Sequence, residues 1–325
     1  MKAIVFTKYG TTDVLELKEI DKPVPKDDEV LIKVYAVSIN DWDLGLLQGD
    51  IINRLINGLF KPKILILGSD VAGRVEAVGL NVMKFQTGDE VYGDLSGTWG
   101  GFAEYVCANE NGVVLKPASM SFEDAAAIPQ AAILAIQGLR DKGQIKSGQK
   151  ILINGAGGGV GTFAVQIAKL CDVEVTGVDS SGKLDMMRSM GYDHVINYKE
   201  EDFTKSGKKY DLILDVKSNR PISDVIRVLN RTGIYVIIGG SMTRLLQALF
   251  LIPWISSISK KKICFVALKP NKDLGYMNEL FEAGKVKPVI DSTYRIDEVP
   301  KALKYFQEGT HKGKVVIIMR PDYVP

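Results

Sequence analysis

Short hydrophobic runs, several of which alternate with polar positions, dominate the first 120 residues of the chain. Turn-forming residues separate these runs, for example at residues 22–27 and 87–89. A period of two is typical of half-buried strands, and many short strands joined by turns favour a small barrel or a partly open sheet. The runs lie at residues 3–6, 15–19, 29–37, 73–78, 90–93 and 103–106.

From about residue 121 the pattern changes to apolar runs that alternate with segments of helical spacing. Ser121, followed three residues later by Asp124, is typical of a helix start. Alternating strands and helices favour an α/β fold with a doubly wound parallel sheet of the Rossmann type. Strands are predicted at residues 151–153, 173–178, 194–197, 211–215, 233–238 and 263–268, and helices at 163–170 and 222–229.

Residues 150–170, KILINGAGGGVGTFAVQIAKL, form the most informative stretch. The pattern predicts a strand, a tight glycine turn and a helix. Backbone N–H groups in such a turn can approach a diphosphate, and the N-terminus of the helix then faces the negative charge. The predicted contacts are Gly157, Gly158, Gly159 and Val160.

The choice of cofactor is expected to depend on the end of the second strand of this sheet. Asp179 could bind both ribose hydroxyls of NAD and repel the 2′-phosphate of NADP. Ser180, Ser181 and Lys183 would instead favour the phosphate. Because the segment supplies both kinds of group, these residues alone leave the choice open.

Composition excludes several classes of protein. The chain has 325 residues, enough for two domains, with 41 Lys and Arg against 39 Asp and Glu. The charges form no long basic tract, so no nucleic acid partner is expected. The three cysteines are far apart, which favours a reducing compartment. We see no signal peptide and no transmembrane segment, and we expect a cytoplasmic location.

Several motifs resemble the medium-chain dehydrogenase/reductase superfamily, and within it the zinc-independent quinone oxidoreductase branch. The resemblance extends from Met1 to about Met319. It implies a GroES-like β-barrel catalytic domain at residues 1–122 and 270–325, a Rossmann dinucleotide-binding domain at 123–269, and a homodimer. The motifs are N-x-x-D (Asn40, Asp43), G-x-D-x-A-G-x-V-x-x-V-G (68–79), G-D-E-V-Y-G (88–93), F-A-E-Y-V (102–106) and A-x-G-G-V-G (156–161).

Zinc-dependent relatives carry a Cys in the first of these motifs and Gly-His-Glu in the second. This chain has no Cys or His in the first motif, and Ser69-Asp70 stands where His-Glu would be. The four-cysteine structural zinc lobe is also missing. Because zinc needs three or four converging ligands, we predict that there is no metal site.

The resemblance also implies further cofactor contacts and a preference for NADP(H), with NAD(H) as an alternative. Tyr198 matches a tyrosine near the adenosine 2′-phosphate. The other positions implied or expected to lie near the cofactor are Gly239, Phe265, Ala267, Lys312 and Gly313.

Residues 245–258, LLQALFLIPWISSI, are too few for a membrane span. Two interpretations remain open for this segment. It could cover the substrate cleft or a dimer partner, or it could make a peripheral membrane contact.

Together these features predict a metal-free NAD(P)H-dependent oxidoreductase that transfers a hydride to a quinone or an α,β-unsaturated carbonyl compound. The expected substrate is small and apolar. Asn40 and Asp43 are the catalytic candidates, with the Asn40 amide stabilising charge on the substrate oxygen. The alternatives are a zinc-free alcohol or aldehyde oxidoreductase and a non-catalytic cofactor-binding regulatory protein.

Overall fold

The computed structural model describes residues 1–240, Gln247 and residues 259–319. The chain divides into two compact units. The first contains Met1–Gln130, Pro270–Gly284 and the chain from Pro288 on, and the second contains Ala131–Lys269 and Lys285–Lys287. The apolar segment 245–258, for which a lid or a membrane contact was predicted, lies outside the described residues except for Gln247.

The first unit is built on a mostly antiparallel seven-stranded sheet with the order β14-β15-β3-β4-β5-β7, and β6 also pairs with β3. A separate hairpin joins β1 to β2. The strands are β1 (Lys2–Val5), β2 (Glu16–Glu19), β3 (Glu29–Ser38), β4 (Asp70–Val78), β5 (Glu90–Asp94), β6 (Tyr105–Asn109), β7 (Val114–Leu115), β14 (Ile290–Arg295) and β15 (Lys314–Ile318).

A large hydrophobic core stabilises the first unit, because both long central strands turn alternate apolar side chains towards it. Val30, Ile32 and Val34 of β3 are fully or almost fully buried there, as is Val71 of β4. The helices of this unit are α1 (Asp41–Gln48), α2 (Ile51–Asn57), α3 (Phe122–Ala127), α8 (Leu274–Glu282) and α9 (Val299–Glu308), and α4 (Pro129–Ile136) begins in it.

The second unit is a six-stranded parallel sheet with the order β10-β9-β8-β11-β12-β13. Numbered from β8, this is the order 3-2-1-4-5-6 of a dinucleotide-binding fold, which reverses direction between β8 and β11. The carboxyl ends of all six strands lie at one edge, where ligands bind such sheets. The strands are β8 (Lys150–Asn154), β9 (Glu174–Asp179), β10 (His194–Asn197), β11 (Tyr210–Asp215), β12 (Leu229–Ile237) and β13 (Lys262–Phe265), and the helices are α5 (Gly159–Ala168), α6 (Leu184–Ser189) and α7 (Ile222–Arg227).

The predicted fold class is confirmed: a doubly wound parallel sheet accompanies a separate β domain. The division between the units falls at residues 130–131, later than the predicted boundary at residue 122. The reason is that α3 packs on β3 and β4 of the first unit, where the Phe122 ring stacks on Tyr35 with a centroid distance of 4.5 Å.

Among the described helices, none has both the length and the apolar character needed to span a bilayer.

Candidate functional site

The glycine turn between β8 and α5 has the geometry of a diphosphate site. Gly155 adopts a φ of +88°, and its N–H and that of Ala156 donate to Val178 O of the neighbouring strand. The first intrahelical hydrogen bond of α5 runs from Thr162 N to Gly158 O. Among the described residues, the N–H groups of Gly159, Val160 and Gly161 therefore have no partner one turn back, and they form the positive end of the helix.

Asp179 ends β9 and turns its carboxylate back towards this glycine turn. Its Oδ2 accepts a hydrogen bond from Gly157 N at 2.8 Å, and its Oδ1 accepts one from Ser180 N at 2.8 Å. The Lys183 Nζ lies 3.5 Å from Oδ1. Both side chains are almost completely buried, so the negative charge of Asp179 is matched by a cation and by two backbone donors.

The absence of a side chain at Gly157 has a local cause. A Cβ atom at Gly157 would lie 2.6 Å from Lys183 Cδ and 2.9 Å from Lys183 Cβ. The aliphatic part of the Lys183 side chain therefore occupies the space that any side chain at residue 157 would need. It can pack there because residue 157 is glycine.

The remaining predicted cofactor residues of the second unit also follow strands of the parallel sheet. Tyr198 follows β10, its ring is half-exposed, and its N–H donates to Asp179 O at 3.1 Å. Gly239 follows β12, Phe265 ends β13, and Ala267 is exposed just beyond it. The fold thus places all of these positions at the carboxyl edge of the sheet, together with Ser180 and Ser181, which follow Asp179 directly.

The predicted catalytic residues lie in the first unit, where β3 ends and α1 begins. The Asp43 carboxylate accepts hydrogen bonds from Asn40 N at 2.9 Å and from Gly68 N at 2.8 Å. Through these two hydrogen bonds Asp43, which is fully buried, joins the loop after β3 to the loop before β4. The Asn40 side chain is 5% exposed, and its Nδ2 lies 3.4 Å from Ser69 Oγ.

Two charged residues that were not predicted as site residues complete this cluster. Lys314, the first residue of β15, donates from Nζ to Asn40 Oδ1 at 2.6 Å and to Ile39 O at 3.1 Å. The same Nζ lies 3.6 Å from Oδ2 of Asp70, the first residue of β4. Ser38 Oγ and Gln130 N both donate to the Asp70 carboxylate. Strands β15, β3 and β4 are neighbours, so these residues meet at adjacent strand ends.

Burial controls the ionisation of the carboxyl groups in this cluster. It raises the pKa of Asp43 to about 6 and that of Asp70 to about 7, although Lys314 and hydrogen-bond donors oppose both shifts. Burial also raises the pKa of Asp94, which faces Asp70 on β5. The Asp94 Oδ2 atom is buried and has no hydrogen-bond partner among the described residues.

Lys312 and Gly313, for which the resemblance implied a place near the cofactor, belong to the first unit. Lys312 N donates to Asp291 Oδ1 at 2.9 Å, and Gly313 has a φ of +75° that favours glycine. They immediately precede Lys314. Two features of the sequence could have indicated Lys314. It is a lysine at the start of an otherwise apolar strand, Lys314–Ile318, and it directly follows two predicted cofactor residues, Lys312 and Gly313.

In the described ranges, 1–240 and 259–319, no group of three or more His, Cys, Asp and Glu side chains could hold a metal ion. The prediction that there is no metal site is not tested by this observation.

Two family models match the chain. One, described as "Alcohol dehydrogenase GroES-like domain", matches residues 26–118, and one described as "Zinc-binding dehydrogenase" matches residues 190–317. The 2-methylene-furan-3-one reductase of Solanum lycopersicum is 36% identical, over 98% of this chain and 79% of its own length. The chloroplastic NADPH-dependent alkenal/one oxidoreductase of Arabidopsis thaliana is 32% identical, over 99% of this chain and 80% of its own length.

Among solved structures, the quinone oxidoreductase from Coxiella burnetii aligns with a TM-score of 0.87 and 28% identity, over 98% of this chain and 99% of that one. A β domain joined to a dinucleotide-binding sheet, with a glycine turn at the sheet's carboxyl edge, defines a two-domain nicotinamide-dependent dehydrogenase class. The chain belongs to the medium-chain dehydrogenase/reductase superfamily, in its quinone oxidoreductase-like branch.

Replacing Asp70 tests the ionisation of the buried cluster. The folded protein holds a proton on Asp70 up to about pH 7, whereas an unfolded chain releases it near pH 3.8. We therefore expect the free energy of unfolding of the native protein to fall relative to that of Asp70→Asn as the pH rises from about 4 to about 7. The fall should be at most about 1.4 kcal/mol per pH unit. Above about pH 7 the difference between the two proteins should stay constant.

The measurement is denaturant unfolding of both proteins across this pH range. Asp43→Asn provides the comparison, because its difference from the native protein should level off near pH 6. A difference that is independent of pH for Asp70→Asn would contradict the raised pKa.

Proposed function

We propose that the protein is a metal-free NAD(P)H-dependent oxidoreductase that reduces quinones or α,β-unsaturated carbonyl compounds. The observation that carries this proposal is the buried cluster in which the Asn40 amide and Lys314 lie beside Ser69 and Asp70, the pair that the resemblance matches to the His-Glu of zinc-dependent relatives. The names of the relatives, an enone reductase, an alkenal/one oxidoreductase and a quinone oxidoreductase, support the same substrate classes.

The residues of the second unit fit a bound dinucleotide. The N–H groups at the start of α5 would hold the diphosphate, and the segment after β9 would hold the adenosine ribose. When bound, the reduced nicotinamide supplies the hydride. The protein's contribution is to position the electrophilic carbon in a water-poor site and to stabilise the negative charge that develops on the substrate oxygen.

Asn40 is the proposed donor to that oxygen. Its Nδ2 carries two hydrogens, Ser69 Oγ lies 3.4 Å from it, and the Asp70 carboxyl group also accepts from the Asn40 side chain. A substrate oxygen would compete with these two acceptors for the Nδ2 hydrogens. Asp43, which is fully buried, would act by holding the Asn40 backbone rather than by touching the substrate.

NADP(H) is the proposed cofactor, with NAD(H) as the alternative. Lys183 lies beside Asp179, so the carboxylate's repulsion of a 2′-phosphate is partly offset. The cytoplasmic location, the homodimer and a peripheral membrane contact through residues 245–258 stay predictions.

Steady-state turnover tests the reaction class. We expect oxidation of NADPH with 2-alkenals or quinones as acceptors, and no loss of activity after dialysis against a chelator. Reversible oxidation of simple alcohols without enone reduction would instead support an alcohol oxidoreductase. Cofactor binding with no turnover on either panel would support a regulatory protein.

Asn40→Ala tests the donor. Loss of one charge-stabilising donor should lower kcat by about tenfold or more and leave the KM for NADPH unchanged. Asn230→Ala is the matched control, because Asn230 Nδ2 bonds Asp211 at the amino-terminal end of β11, away from the ligand edge. An unchanged kcat for Asn40→Ala would remove Asn40 from the mechanism.

Asp179→Ser tests the choice of cofactor. Without the carboxylate, Lys183 loses its ion-pair partner and the 2′-phosphate loses a nearby negative charge. We expect the ratio of KM for NADH to KM for NADPH to rise about tenfold, equivalent to about 1.4 kcal/mol. Asp185→Ser, which changes a fully exposed aspartate on α6, is the control. An unchanged ratio would show that Asp179 does not face the ribose.

A further inference from the structure

The side chain of Lys314 is 3% exposed, although a buried ammonium group is costly unless polar partners surround it. Its partners are Asn40 Oδ1, Ile39 O and the Asp70 carboxylate. The contact with Asn40, at 2.6 Å, is the shortest of the three. A lysine placed only to neutralise Asp70 would instead lie closest to that carboxylate.

The contact with Lys314 fixes the orientation of the Asn40 amide. An ammonium group has donors and no acceptor, so the amide atom that faces it must be the oxygen. The NH₂ group of Asn40 is thereby turned away from Lys314 and towards Ser69 Oγ and the Asp70 carboxyl group. If Lys314 were replaced by a neutral apolar residue, the amide could rotate and present its oxygen where a donor is needed.

We propose that Lys314 is a positioning residue for the reduction, which holds the Asn40 amide with its N–H donors directed at the substrate oxygen and places a positive charge behind it. The proposal rests on the proposed function, because it assumes that Asn40 binds that oxygen. A cation hydrogen-bonded to the amide oxygen polarises the amide, which strengthens donation from its nitrogen. In a buried site this effect is less screened than in water.

The carboxyl groups near Lys314 permit this role. Asp43, Asp70 and Asp94 all face it, and burial raises the pKa of each. Burial therefore disfavours the charged form of each of these three groups. The Nζ takes no part in bond making, so no proton or electron leaves Lys314 in this proposal.

A double-mutant cycle tests whether Lys314 acts through Asn40. We expect Lys314→Met to lower kcat about tenfold or more with the KM for NADPH unchanged. In the Asn40→Ala background the same substitution should lower kcat less than about twofold. Lys314→Arg, which keeps the charge and offers only donors, should restore part of the lost kcat.

Lys116→Met is the matched control. Lys116 is also a lysine whose side chain is 3% exposed, with Glu90 at 2.9 Å and backbone carbonyls as partners, so its loss should affect stability without affecting kcat. If Lys314→Met does not fold, Lys314→Gln replaces it, since a neutral amide fills the space without fixing the orientation of Asn40.

A second measurement does not depend on turnover. Binding of 4-nitrophenolate, an oxyanion that resembles a reduced quinone, should weaken by similar factors in Asn40→Ala and Lys314→Met and stay unchanged in Lys116→Met. The role of Lys314 would be overturned if Lys314→Met lowered kcat equally in the native protein and in Asn40→Ala. It would also be overturned if Lys314→Met left kcat unchanged while Asn40→Ala lowered it. An unimpaired Asn40→Ala would instead contradict the proposed function itself.

Discussion

A buried lysine lies at the ends of three adjacent strands of the first unit and constrains the polar groups around it. Lys314 begins β15, Asn40 follows β3 and Asp70 begins β4, and the backbones of these strands pair directly with one another. Because an ammonium group cannot remain buried without partners, the three strand ends must supply oxygen atoms at that point. The orientation of the Asn40 amide follows from this requirement.

A comparable constraint organises the second unit around an ion pair. Asp179 bonds the glycine turn through Gly157 N, and Lys183 packs over the same glycine. Removing either partner changes the turn as well as the charge. Under the proposed function, the preference between the two cofactors therefore depends on the carboxylate, the lysine and the turn together, and not on the Asp179 carboxylate alone.

The sequence predicted the parts of the fold that depend on local pattern. Strand β10 lies at the predicted residues, and β11 and β12 lie within a few residues of their predicted positions, because hydrophobic periodicity records which residues face a core. The role of Lys314 could not be predicted in this way. Its contact with Asn40 spans 274 positions, and no short-range pattern carries information about such a pairing. The orientation of Asp179 towards Gly157 was unpredictable for the same reason, since it depends on where the stem of Lys183 packs.

The energetics of the cluster favour a chemical explanation over a structural one. Burial raises the pKa of Asp70 and Asp43, which means that ionising them at neutral pH weakens the folded state. Apolar residues of similar size at these strand ends would avoid that cost, as replacements of buried charged groups often show. A fold alone therefore does not require this lysine and these carboxyl groups. In the proposed reaction negative charge builds on an oxygen, and the arrangement of Asn40 and Lys314 would offer it a fixed donor backed by positive charge.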